Sequence, residues 1–152
     1  MRIAIAGASG LLGNATAAHL RAEGHEVLAL VRREASGPDE RGWDPTAGRI
    51  DGPGLDDVDA AINFSGAGIA DARWNEQRKA ELRCSRLNAT TTIAAALRPD
   101  GRCGRLLNAS AIGFYGNTGE AVVDEASPQG SGFLAQLVAD WEHAAHAAPV
   151  PT

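Results

Sequence analysis

The sequence predicts an α/β fold built on a doubly wound parallel sheet with helices on both faces. Three observations carry that expectation. An apolar segment, Arg2-Ile3-Ala4-Ile5-Ala6, runs through a glycine-rich turn into a helical stretch. A second apolar run, Glu26-Val27-Leu28-Ala29-Leu30-Val31, follows at the spacing of a strand–helix–strand unit. Both runs are almost continuously apolar, as parallel strands buried on both faces are, rather than alternating like strands with one wet side.

The turn holds Gly7, Gly10 and Gly13 in a G-x-x-G-x-x-G spacing. Backbone amides at a helix start lack intrahelical acceptors, and the helix dipole favours negative charge there. In a dinucleotide-type turn one glycine permits the sharp bend. Another lets a pyrophosphate approach the backbone, and a third lets the helix pack on its strand. The helix is expected from Leu11 to Glu23, with Gly24 as its C′ residue. Ala15, Ala18 and His19, with Leu12 and Leu20, are read as its sheet-facing side.

Arg32 and Arg33 follow the second strand. At that point a dinucleotide fold reads the adenosine ribose. An acid would bond the 2′-hydroxyl, whereas an arginine accommodates a 2′-phosphate. The strand end carries cations and no acid, so NADP is favoured over NAD. The polar segment from Glu34 to Gly54 contains Gly42-Trp43-Asp44-Pro45 and Gly48-Arg49-Ile50, read as two short strands around a turn. Asp59 to Gly66 reads as a further buried strand that ends in a small-residue loop, with Phe64, Ser65 and Gly66 at its end. Its carboxyl end is expected beside the glycine turn, where open α/β sheets bind ligands, which makes those three residues candidates to touch the cofactor.

Asn75 is placed to cap a long helix reaching about Leu97. Leu87, Thr90, Thr91, Ala94 and Leu97 form the expected sheet-facing stripe. The charged first half, with Glu76, Arg78, Lys79, Glu81, Arg83 and Arg86, is read mostly as a solvated face. Arg105 to Ser110 is the fifth strand, Asn117 to Gly132 a loop, and Phe133 to His146 the last helix. Together these give a Rossmann-type sheet of order 3-2-1-4-5 in three α/β/α layers, forming one NAD(P)-binding domain over residues 1–152.

Composition narrows the function classes. The 152 residues suit one compact unit with its own core, and 44% hydrophobic with 22% charged residues is ordinary for a globular chain. The formal net charge of −5 argues against nucleic acid or an anionic membrane surface as main partner. No apolar run approaches the roughly 20 residues of a membrane span, and the N-terminus does not read as a signal peptide. Cys84 and Cys103 have no metal-like spacing and are read as reduced thiols of a cytoplasmic protein. His143 and His146, at i, i+3 on the last helix, have no third ligand nearby, so no metal is assigned.

With these pieces in order, the chain resembles an extended short-chain dehydrogenase/reductase, and more narrowly the epimerase-like SDR39U1 group. The resemblance is carried by Gly7 to Gly13, Leu30-Val31-Arg32-Arg33, Trp43-Asp44-Pro45, Ile62 to Gly66 and Arg73-Trp74-Asn75-Glu76. It continues through Ser85-Arg86-Leu87, Ala109 to Gly116, Asp124-Glu125, Phe133-Leu134 and Asp140-Trp141-Glu142. It implies that Gly7, Ser9, Gly10, Leu11, Leu12 and Gly13 hold the pyrophosphate and adenosine. Arg32 with Arg33 would meet a 2′-phosphate. Phe64 and Ser65 would lie along the adenine and ribose, and Glu81 and Arg86 would face the cofactor from the long helix. Ser110 falls where the superfamily places its active-site serine or threonine, hydrogen-bonded to a substrate oxygen.

Two departures stand out. The superfamily's Tyr-x-x-x-Lys pair is absent: that segment reads Phe133-Leu134-Ala135-Gln136-Leu137, and no lysine follows Lys79. Tyr115, the only tyrosine, is the candidate substitute. The resemblance also implies a chain about twice this length, so a sixth strand and a substrate-binding C-terminal part are expected to be missing. The open sheet edge left behind is a template for self-association. Three readings follow: an NADP-dependent epimerase or oxidoreductase acting on a sugar-nucleotide-like or small carbonyl or hydroxyl compound, a non-catalytic NADP(H)-binding sensor or interaction module, or an inactive truncated fragment.

Overall fold

The structure is a computed structural model that describes residues 1–152. Its elements in chain order are β1 (Arg2–Ala6), α1 (Leu11–Ala22), β2 (Glu26–Val31), β3 (Glu40–Asp44), β4 (Arg49–Ile50), β5 (Ala60–Asn63), α2 (Glu76–Ala96), β6 (Leu106–Asn108), a 3-10 segment (Ile112–Tyr115) and α3 (Phe133–His146). They form one sheet of order β4-β3-β2-β1-β5-β6. Every neighbouring pair is parallel except the β3–β4 hairpin, where Trp43 lies opposite Ile50 and Asp44 opposite Arg49. The five parallel strands keep the expected 3-2-1-4-5 order, and β4 adds an antiparallel edge. No helix is long and apolar enough to cross a membrane.

The alternation along each strand divides the core between the two faces. Ala4, Ala6, Leu28, Leu30, Ala61 and Leu106 pack with Ala89 and Ile93 of α2 and with Leu97 at its C-cap. Ile3, Ile5, Val27, Ala60 and Ile62 pack with Ala17 and Leu20 of α1. Because α1 alone covers its face, Leu107 on edge strand β6 stays 49% exposed there.

Two faces differ from the sequence expectation. In α1 the buried side is Gly13, Ala17 and Leu20, while Leu12, Ala15, Ala18 and His19 are exposed. The i, i+4, i+7 row through Gly13 wins because only glycine fits where the helix touches the turn. In α2, Thr91 is exposed and its hydroxyl bonds Leu87 O, whereas Ala89, Thr92 and Ile93 are buried. The helix lies between the sheet and α3, so its buried arc is wider than one stripe. Asn75 caps α2 as expected, Oδ1 accepting from Arg78 N at 2.7 Å.

At the amino ends of the strands, Asp57 bridges Arg2 and Arg41 at 2.6 and 2.7 Å, and Arg102 donates to Asp59 at 2.7 Å. The Arg102 hydrogen bond, then the Arg2 amide, hold the Asp59 carboxyl down at about 2. Glu40 is likewise lowered to about 2, first by Arg33 and then by Ser36. A depressed carboxyl contributes stability that is full above its unfolded value near 4 and is lost as pH falls toward 2. Melting temperatures are therefore expected to drop between pH 4.5 and about 2, and to drop less steeply in Asp59→Asn.

Candidate functional site

Parallel register brings the carboxyl ends of the strands to one level. Ala6 lies opposite both Leu30 and Asn63, and Asn63 opposite Asn108. The glycine turn, Arg32, Phe64 and the Ala109-Ser110 segment therefore all leave the sheet on the same side. Between them lies a cleft of about 550 Å³, lined by Gly7, Gly10, Leu11, Leu12 and Gly13, by Phe64, Ile69 and Arg86, and by Ala109 to Gly113. Leu134, Leu137, Val138 and Trp141 of α3 close it.

The three glycines do different things. Gly7 has φ +79°, and a Cβ there would stand 2.9 Å from Phe64 C. A Cβ on Gly13 would lie 2.1 Å from Gly7 O, so the helix rests directly on the turn. Gly10 meets only Gly7 O, at 3.4 Å, and otherwise faces open space. No side chain caps α1 at Gly10. Its first-turn amides thus point into the cleft mouth without side-chain acceptors, beside Leu11 and Leu12, which are 90% and 62% exposed.

At the β2 end the two arginines part company. Arg33 is held by Glu40 through bonds of 2.6 and 2.7 Å and also donates to Glu34 O and Ser36 Oγ. Arg32 is exposed and makes no hydrogen bond or ion pair.

A buried polar network sets the floor under Ser110. Thr90 Oγ1 accepts from Asn63 Nδ2 at 3.0 Å and from Trp141 Nε1 at 2.8 Å, and donates to Asn108 Oδ1 at 3.2 Å. Asn63 Nδ2 also donates to Asn108 Oδ1 at 2.7 Å, and Asn63 Oδ1 accepts from Ser65 N at 3.0 Å. One hydroxyl with its single donor and both acceptor sites used locks β5, β6, α2 and α3 together. Thr90→Val, which removes that hydroxyl at constant shape, is expected to cost about 2 kcal/mol in urea unfolding, because Trp141 Nε1 is left buried without an acceptor.

The charged half of α2 is not simply solvated. Arg86 is half-buried, lies 5.4 Å from the Trp141 ring centroid, and donates to Ala67 O and Leu82 O at 3.1 Å each. A Cβ on Gly66 would meet its Cζ at 3.1 Å. Burial, then the nearby Arg78 cation, lowers the Arg86 pKa from its ordinary value. No carboxylate pairs with Arg86, so a cation faces the cleft uncompensated. Arg78 donates to Gly68 O and to Glu81, and Ser85 Oγ accepts from Ala67 N at 3.0 Å. These contacts fasten the 65–68 loop onto α2. Arg83 pairs with Asp140, joining α2 to α3.

The expected site residues thus separate. Gly7, Gly10, Leu11, Leu12, Gly13, Phe64, Arg86 and Ser110 line one cleft. Ser9 is exposed on the turn, and Ser65 and Gly66 lie in the adjoining loop. Glu81 is engaged with Arg78 outside the lining. Tyr115 stacks edge-on against Phe114 at 5.4 Å and does not line the cleft. Phe133 packs edge-on against Trp74 at 5.7 Å, and Leu137 is buried in the cleft wall.

Sequence reasoning named Glu142 within the Asp140-Trp141-Glu142 segment but gave it no site role, and its carboxylate accepts a hydrogen bond from Ser110 Oγ. Asn63, Thr90 and Asn108 were likewise given no site role. A signal existed for the asparagines: both strands end in Asn at one register.

Comparison with known proteins gives consistent findings. The NAD dependent epimerase/dehydratase family matches residues 3–139. An epimerase family protein of Mycobacterium tuberculosis is 49% identical over 142 residues, covering 93% of this chain and 47% of that protein. The crystal structure of human epimerase family protein SDR39U1 with NADPH superposes with a TM-score of 0.82 at 35% identity, covering 95% of this chain and 48% of that one. The nucleoside-diphosphate sugar epimerase from Corynebacterium glutamicum gives a TM-score of 0.82 at 37% identity, covering 97% of this chain and 31% of that one. The chain spans about half the length of the curated relatives it matches.

Proposed function

Because the chain belongs to the NAD dependent epimerase/dehydratase family, we propose that it binds NADP at the glycine turn and acts as an epimerase-like oxidoreductase. The observation that carries the cofactor reading is the division of labour at the β2 end. Glu40 occupies Arg33, while Arg32 is left exposed and unpartnered, with no acid where a 2′-hydroxyl would be read. The uncapped first turn of α1 and the close backbone at Gly10 suit a pyrophosphate, and the uncompensated Arg86 suits an anion in the cleft. The NADPH of the human relative supports the same choice. A bound nicotinamide would supply hydride acceptance and donation. The chain's own part is to orient a hydroxyl or carbonyl group against Ser110 and to keep water out with Leu134, Leu137 and Val138. The substrate class is a sugar-nucleotide-like or small carbonyl or hydroxyl compound.

Fluorescence titration tests this reading: NADPH is expected to bind at least tenfold more tightly than NADH, and equal affinities would refute it. A second reading, a non-catalytic NADP(H)-binding module, is favoured by Phe133 and Leu137, which put apolar side chains where a tyrosine and a lysine would stand. Tight NADPH binding with no turnover of any carbonyl or hydroxyl compound by the full-length protein would select it.

A further inference from the structure

We propose that Ser110 and Glu142 form the proton-transfer pair of this cleft, Ser110 meeting the substrate oxygen and Glu142 standing behind it as positioning residue and proton store. The inference rests on the NADP reading above and adds Glu142, a residue that reading does not need. The cleft lining is almost wholly apolar. Its polar side chains are Arg86, Ser110 and the Trp141 indole. A guanidinium stays protonated and accepts nothing, and an indole N–H only donates. Trp141 Nε1 is in any case committed to Thr90. Ser110 is therefore the one lining group able to both accept and donate a proton.

A lone serine is a poor acid and base, but Ser110 Oγ already donates to Glu142 Oε1. Glu142 sits one turn after Val138 on α3 and takes part in no ion pair. The charged groups around it have other commitments. On α2, Arg83 is held by Asp140 and Arg86 lies over Trp141. On α3 itself Asp140 is paired, while His143 and His146 are exposed, and the 3-10 segment contributes Tyr115. No cation neutralises Glu142 in place of the Ser110 proton.

In alcohol oxidation, with the hydride leaving the carbinol carbon for a bound NADP⁺, the substrate hydroxyl would give its proton to Ser110 as Ser110 passes its own to the Glu142 carboxylate, which releases it to water. Carbonyl reduction runs the same transfers in reverse. General acid–base assistance of this kind contributes on the order of 10²-fold or more.

The test uses the full-length protein, NADPH and 9,10-phenanthrenequinone as a carbonyl probe. Glu142→Gln should lower kcat for the quinone about 10²-fold, with the quinone KM and NADPH affinity kept within about twofold. Ser110→Ala should do the same. A second readout needs no turnover. In ¹³C-glutamate-labelled protein the resonance missing from Glu142→Gln identifies the carboxyl, and its chemical shift at neutral pH should change in Ser110→Ala as the hydrogen bond is lost. An absent NADPH fluorescence signal overturns both this pair and the cofactor reading. The pair alone is overturned by NADPH binding with no quinone turnover, by a Glu142→Gln enzyme that keeps its kcat, or by a Glu142 carboxyl resonance that does not move in Ser110→Ala.

Discussion

Gly13→Ala is expected to destabilise the protein by about 3 kcal/mol and to weaken NADPH binding at least tenfold. The new methyl would stand 2.1 Å from Gly7 O and 2.8 Å from Ala8 Cα, both backbone atoms that cannot rotate away. Either α1 lifts off the turn or the turn opens, and overpacking of this kind costs about 1–3 kcal/mol or more. Alanine's helix propensity returns only about 1 kcal/mol. A lifted helix also moves the first-turn amides, so binding falls with stability. Gly10→Ala separates the two effects. Its methyl meets only Gly7 O, at 3.4 Å, and its backbone φ of −74° is ordinary. Stability should stay within about 0.5 kcal/mol, while the methyl stands where a pyrophosphate would approach and NADPH affinity falls. Urea unfolding and fluorescence titration on both variants check this. A Gly13→Ala protein as stable as wild type would refute the packing role.

The same glycines show what the sequence carries and what it conceals. Local signals fix local structure. Continuous apolar runs marked β1, β2 and β5, Asn75 marked the start of α2, and Gly24 marked the end of α1, where its φ is +80°. The parallel pairing of β1 and β2 followed from the strand–helix–strand spacing, and the family resemblance is matched by relatives and solved structures. Residues whose role depends on a distant partner were harder. Thr90 is a middling helix residue until Asn63, Asn108 and Trp141 converge on its hydroxyl from 18 to 51 positions away. Arg78 and Arg83 resemble a solvated face until the 65–68 loop and α3 arrive, whereas the family resemblance already turned Arg86 toward the cleft it lines. Glu142 pairs with a serine 32 residues earlier. Helix faces failed for a related reason: in α1 the choice of side is set by a backbone collision at Gly13 that no hydrophobicity pattern encodes.

Arg32→Ala is expected to lower NADPH affinity by about ten- to a hundredfold and to leave NADH affinity within about twofold. The arithmetic starts from a charge-assisted hydrogen bond, about 1.5–3 kcal/mol when desolvated and less at an exposed site. Arg32 is exposed but makes no bond that must first be broken, so little is lost on engaging a phosphate. Arg33 is the internal comparison. Its guanidinium already holds Glu40, Ser36 and Glu34 O, and recruiting it to a ligand means abandoning those contacts. Arg33→Ala should therefore loosen the β2–β3 connection, lowering the melting temperature, while changing NADPH selectivity by no more than about threefold. Salt sharpens the distinction. Raising ionic strength from 0.1 to 1 M shortens the Debye length from about 10 to about 3 Å, which should narrow the NADPH–NADH gap in wild type but not in Arg32→Ala. Titrations of both nucleotides against the three proteins at the two salt concentrations decide it. Selectivity carried by Arg33, or unaltered by either substitution, would move the 2′-phosphate away from the β2 end.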